Sequence, residues 1–237
     1  MSKVKNTLRN ILSLARYNMR IVFGGKFVYF VLAAFLFYLV IGTISAFDET
    51  NYRMNDVYGL LILPAILLVF YPSAFGIQSD ADQRTLEIIF GIPDYRYKVW
   101  LVRIIMVLII VFVLLFPFAA LAHYILVSIP VFKMVLQLMV LVFFTSTLGF
   151  CVSTLTRSGN ATAVIMVVFG LVFLILTDSL YWSKWNIFLN PFNNPDHINE
   201  LVWVETVRQN RIIMLIASLV FLLIGLLNLQ QREKFLR

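Results

Sequence analysis

The sequence predicts an all-α integral membrane protein with six transmembrane helices. An amphipathic interfacial helix precedes the first span, and a short cytoplasmic helix joins the second to the third. Three observations carry this prediction. Of 237 residues, 61% are apolar and only 13% charged, where soluble domains carry about 25% charged. The apolar residues collect in six runs, each near or above the roughly 20 residues a helix needs to cross the hydrocarbon core. Lysine and arginine are distributed very unequally between the segments that join those runs. The length suits a single domain.

Residues 1–26 come first. Leu8, Ile11, Leu12, Ala15, Met19 and Val22 recur at helical spacing, with Lys5, Arg9, Arg16 and Arg20 mostly off that stripe. A helix of this kind lies in the membrane interface. The basic region is too long, and the run after it too long, for a cleavable signal peptide. Gly24-Gly25 lets the chain turn into the first span. Gly24-Gly25-Lys26 is no phosphate-binding loop, because position 20, where such a loop needs glycine, is Arg20.

The six runs are Phe27–Phe47, Val57–Ile77, Val99–Val127, Val131–Thr154, Ala161–Leu180 and Arg211–Leu229. Pro64 and Pro72 interrupt the second. Pro117 predicts a tilt or kink in the long third run. With six spans both ends of the chain lie on one side. That side receives 14 of the 19 basic residues: six within 1–26, then Arg84, Arg96, Lys98 and Arg103, then Arg157, then Arg232, Lys234 and Arg237. Basic residues mark the cytoplasm, so both termini are expected there, in a cell membrane such as the bacterial inner membrane. The net charge of +7 is then a signature of topology, and nucleic acid is not expected as a partner. The outer loop, 181–210, holds Trp182, Trp185 and Trp203, which suit an aromatic belt. Pro191 and Pro195 divide it, and Asp196 is placed to cap a short helix through Val204.

Between the second and third runs lies Ser79 to Trp100, with seven charged residues. Ser79 can open a helix, supported by Asp82 three residues on. Leu86, Ile89 and Phe90 fall on one face, with Arg84 and Glu87 elsewhere. Gly91 stops the helix and Ile92 before Pro93 resists it. Asp94 can cap the next helix, and Tyr95, Tyr97 and Trp100 sit at headgroup depth. The expected product (78–98) is a short cytoplasmic helix parallel to the membrane, suited to docking a soluble partner.

This segment resembles the one between spans two and three of ABC-2 type transporter permeases. The matching residues are Thr85-Leu86-Glu87, the apolar run through Phe90, Pro93 and Arg96. Arg84 stands where that family usually has glycine, and Arg103 lies near where it often has Gly-Lys. Ser153-Thr154-Leu155-Thr156-Arg157-Ser158 and Asn190-Pro191-Phe192 are similar too, as are the six-span plan and the leading interfacial helix. The resemblance spans essentially the whole chain. It implies a permease subunit that dimerises with a second copy or a homologous permease, with span one and the span-five region at the seam. It implies two ATPase partners, which carry the ATP and Mg²⁺, and no cofactor in this chain. Arg84, Thr85, Leu86, Glu87, Ile89 and Phe90 would form the coupling helix seated in an ATPase groove, and the cargo would be exported.

Other chemistry is poorly supplied. There is no His-Glu-x-x-His for a zinc protease and no Gly-x-Ser-Gly for a serine protease of the membrane. His123 is single in its span and reads as a packing or interface residue. Cys151 allows no internal disulfide. No carboxylate falls at a predicted mid-membrane position, where ion-coupled transporters place theirs, so the energy is expected from a partner's ATP and no hydrolysis from this chain. Tyr38 and Ser45 in span one, Tyr71 and Ser73 in span two, and Thr145-Ser146-Thr147 in span four are the polar patches within the spans. They either line a translocation path or bond the helices to one another. A second reading of the whole chain is a membrane anchor for an assembly or motility complex that recruits an ATPase and moves no cargo.

Overall fold

The computed structural model describes residues 27–47, 53–82, 91, 96–195 and 198–230. The expected interfacial helix (1–26), the segment from Arg84 to Phe90, the caps at Asp94 and Asp196, and the basic tail after 230 lie outside the described residues. No strand occurs among those described.

Six apolar helices follow one another: α1 Phe27–Phe47, α2 Met54–Asp82, α3 Val102–Ile125, α4 Val131–Thr156, α5 Gly159–Ile175 and α6 Glu200–Asn228. A π-helical turn, Arg96–Leu101, leads directly into α3. Five stretches are long and apolar enough to cross a membrane, and α5 is shorter at 17 residues. At 1.5 Å per residue α5 reaches about 26 Å, just under the hydrocarbon thickness. The helix is the stable form for such runs because it satisfies its own backbone where no water can.

Three boundaries differ from those expected. α2 runs unbroken through Pro64 and Pro72 and continues past Ile77 to Asp82; Ser79 therefore sits inside a helix and does not open one. Spanning helices tolerate proline because neighbours satisfy the freed backbone groups. α5 stops at Ile175, five residues before the expected end, and the chain enters a series of turns. Thr177 turns its hydroxyl back to the Phe173 carbonyl at 2.8 Å, and the Asp178-Ser179 pair that follows favours turn over helix. In the outer loop no separate short helix forms among the described residues. The helix begins at Asn199, whose side chain accepts from the Leu201 N–H at 3.0 Å, and it continues without a break into the last span.

α4 is the centre of the bundle. It packs against α2, α3, α5 and α6, while α1 lies on α2 and α3. α4 is buried along most of its length. One large apolar cluster joins α1 to α4 in the half nearer α4's start, through Tyr38, Leu61, Leu115 and Leu138 among others. A smaller one, with Ile77, Trp100, Phe150 and Leu226, closes the other end. Outside this core the surface is greasy. α5 buries only Gly159 and Thr162 and exposes Val164, Val168, Leu171 and Leu174. α1 exposes Tyr29, Leu32, Leu36 and Val40. Apolar faces on this scale need a membrane or a partner to cover them, and the chain is a multi-pass membrane protein.

Candidate functional site

The end of the bundle that carries segment 83–95 is assembled from the last turns of α2, the first of α3 and the second half of α4. Asp80 lies two residues before the end of α2 and Arg103 is the second residue of α3. Both are buried, at 0% and 5% exposure. The guanidinium meets the carboxylate with two bonds, Nη1 to Oδ2 at 2.6 Å and Nη2 to Oδ1 at 3.3 Å. Paired donors of this kind fix geometry as well as charge. Trp100, one turn earlier on the same face, lays its ring against Arg103 with the guanidinium carbon 4.7 Å from the ring centroid. The pair thus ties the two helical stems from which residues 83–95 emerge.

Beside it α2 and α4 approach closely along a row of small residues. Ser146, Gly149 and Ser153 share one face of α4. The Ser73 hydroxyl donates to Ser146 Oγ at 3.3 Å, and the Ser153 hydroxyl to the Ala74 carbonyl at 3.2 Å. A Cβ on Gly149 would stand 2.9 Å from the Ser73 Cβ, so only glycine permits this approach. Small residues of this kind let spanning helices meet backbone to backbone. Between the ion pair and this seam lies a cavity of about 20 Å³, lined by Ser73, Gly76, Trp100, Arg103, Ser146 and Phe150 among others. The N–H groups at Trp100 Nε1 and Arg103 Nε are buried and have no partner among the described residues.

The turn from α4 to α5 closes the same end. Arg157 adopts the left-handed conformation, φ 57°, and Ser158 caps α5. Gln78 Oε1 of α2 accepts from the Gly159 N–H at 2.6 Å, and Asn228 of α6 donates to the Thr154 carbonyl. The Ser153–Ser158 stretch is therefore a built turn that gathers α2, α4, α5 and α6.

At the opposite end Arg211 of α6 forms a second polar knot. Its Nε donates to Gln137 Oε1 at 2.9 Å, Nη1 to Asn210 Oδ1 at 3.0 Å and to Met214 Sδ at 3.7 Å, and Nη2 to Tyr58 Oη at 3.3 Å and the Leu189 carbonyl at 3.1 Å. Guanidinium has five N–H donors, so all are used, each on a neutral acceptor. The same end is braced by asparagines. Asn210 donates to the Lys184 and Asn186 carbonyls and Asn190 to the Asn55 carbonyl. Asn190 Oδ1 also accepts from the Phe192 N–H at 3.0 Å, which gives Asn190-Pro191-Phe192 a local structural role. His123 Nδ1 lies 3.0 Å from the Ile129 backbone N, a contact that closes the turn after α3.

The polar residues expected to line a path do not converge. Tyr38 is buried edge-on against Phe118, ring centroids 5.3 Å apart. Tyr71 stacks on Phe75 and tilts against Phe30. Thr145 and Thr147 turn their hydroxyls to carbonyls of their own helix, at 2.9 Å each to Leu141 and Phe143. Only Ser73 and Ser146 face each other and the cavity. The coupling residues, Arg84, Thr85, Leu86, Glu87, Ile89 and Phe90, lie outside the described residues. Asp80, Trp100 and Arg211 were not picked out as site residues from sequence. The sequence signal for the ion pair is an acid near the end of one span and a base near the start of the next. Comparison with protein-family models, with curated proteins and with solved structures finds no match.

Proposed function

We propose that the chain is the permease subunit of an ATP-driven transporter of the ABC-2 type, working as an exporter. In this reading a partner ATPase binds ATP and Mg²⁺, and this chain hydrolyses nothing itself. Both termini face the cytoplasm, and a second permease completes the membrane domain. The observation that supports it most is the fastening of α2 to α3 by Asp80 and Arg103. Segment 83–95 joins these two stems, so a push on the segment reaches both helices together. The exposed face of α1 (Tyr29, Leu32, Leu36, Val40) is available for the second permease, whereas Tyr38 points inward.

The test is recruitment. The tagged full-length chain is purified from its native membrane, and co-purifying ATP-binding proteins are identified and quantified. Leu86→Asp and Phe90→Asp should leave membrane insertion intact and remove the ATPase. Loss of a buried interface anchor commonly costs about 2 kcal/mol or more, roughly thirtyfold in affinity. Leu201→Asp is the control at the opposite end, where Leu201 is 78% exposed; it should recruit normally. Recovery of no ATPase, or equal recovery with all three variants, would overturn the proposal.

A further inference from the structure

We infer that the cavity between α2, α3 and α4 is a binding site for one water molecule, held by the indole N–H of Trp100 and the Nε–H of Arg103. The inference stands apart from the transport reading.

Burial is the first ground. Trp100 is 1% exposed and Arg103 5%, and a buried donor without a partner is rare in folded proteins. Two such donors on two residues lining one cavity point to a shared acceptor. Trp203 Nε1 is equally orphaned, but Trp203 does not line this cavity.

Size and charge select the acceptor. The cavity of about 20 Å³ exceeds the roughly 10–15 Å³ that a water needs. Arg103, a cation of the lining, is already paired with Asp80, which weakens its hold on an anion. A cation would meet the positive ends of two N–H groups. A neutral acceptor remains. Water accepts two hydrogen bonds and donates two, and the Ser73 and Ser146 oxygens on the same wall can take the protons it offers. Buried waters typically make about three such bonds. The water would connect α3, through Trp100 and Arg103, to the seam between α2 and α4.

The test is X-ray radiolytic footprinting of the full-length protein in lipid nanodiscs, read by mass spectrometry. Hydroxyl radicals form where water is bound, so a buried side chain beside a held water is oxidised and a dry one is spared. Trp100 should be modified several-fold faster than Trp203, its match in burial and in lacking a protein partner. In ¹⁸O-labelled water the label should enter Trp100 more slowly than an exposed tryptophan such as Trp185, because a held water exchanges slowly. Ser146→Val, which fills the cavity, should bring Trp100 down to the rate of Trp203, and the milder Ser146→Ala should lower it in part. Modification of Trp100 no faster than Trp203 would overturn the inference. So would an excess that survives Ser146→Val and Ser146→Ala alike. The first result would also follow if a lipid or detergent oxygen supplied the acceptor in place of water.

Discussion

Separating Asp80 from Arg103 should destabilise the bundle far more than removing both. The charge centres of a two-pronged pair with a 2.6 Å contact lie about 4 Å apart. At an effective dielectric constant of about 20 that attraction is roughly 4 kcal/mol. Removal of one partner leaves the other charge buried, which typically costs about 3–5 kcal/mol. Asp80→Leu and Arg103→Met should each fall in that range. The double variant replaces the pair with apolar groups of similar size and should cost much less than the sum, since such exchanges are often near neutral. The singles sum to about 6–10 kcal/mol and the double costs little, so the cycle should return a coupling above the roughly 0.5–3 kcal/mol usual for contacting residues. The assay is equilibrium unfolding in mixed micelles, a denaturing detergent titrated against a mild one and followed by circular dichroism. Single variants that lose less than about 1 kcal/mol and add without coupling would show a hydrated pair. The two stems would then not be fastened, and a push on segment 83–95 would not reach both helices together.

Three further outcomes are expected. Gly149→Ala places a Cβ 2.9 Å from that of Ser73 and should cost about 1–3 kcal/mol by overpacking. Gly170→Ala, with nothing within 4 Å, should gain up to about 1 kcal/mol from helix propensity; the same micelle titration compares them, and equal effects would contradict the close seam. Arg211→Leu strands Tyr58, Gln137 and the Leu189 carbonyl, so the 176–195 loop should become sensitive to added protease. Arg211→Lys should not restore protection, because an ammonium cannot reach five acceptors; full protection in both would refute the knot. In a Cys151→Ala background, Asn194→Cys should react with an impermeant maleimide on sealed cells and Ser2→Cys only after permeabilisation. Labelling of Ser2→Cys on sealed cells would reverse the topology.

The apolar runs made the helices legible, because a long stretch without charge has few other stable forms in lipid. Their ends were less legible, since polarity was read as a boundary and polarity does not end a helix. Asp80 and Asp82 were assigned to a connecting segment, yet α2 carries both. The last span is expected to start at Arg211, after a loop that ends in the charged run Glu205 to Arg211. Nothing in it stops a helix, and Glu205 accepts from Gln209 at 3.0 Å and pairs with Arg208 at 2.7 Å along one helix. Capping at Asn199 set the true start. The hydroxyl cluster of α4 was legible as polar but not as to use. Ser146, three residues from Gly149 and seven from Ser153, marks a seam, and that spacing was present in the sequence. The Asp80–Arg103 pair is legible only as an acid and a base at adjoining span ends; its partners are 23 residues apart and meet through the packing of α2 against α3.

The two polar centres differ in kind, and that difference bears on where the bundle can move. Arg211 is held by five acceptors from α2, α4, α6 and the 176–195 loop. Any relative shift of those elements must break several bonds to one buried cation, and each broken bond leaves a buried group unsatisfied. At the other end the Asp80–Arg103 ion pair joins α2 to α3, and α2 meets α4 through hydroxyl bonds at 3.2 and 3.3 Å. A cavity lies between these links. The hydroxyl bonds can lengthen or exchange with little loss, particularly where water can bridge them, whereas the ion pair keeps α2 and α3 moving together. The bundle is thus stiff at the end that carries the long loop and compliant at the end that carries segment 83–95. Under the transport reading this is the required order: a push enters at the compliant end, and the helices turn about the Arg211 knot. The two arginine variants should therefore fail differently. Loss of Arg211 should loosen the loop and the pivot, whereas the Asp80→Leu, Arg103→Met double variant should stay folded yet transmit poorly.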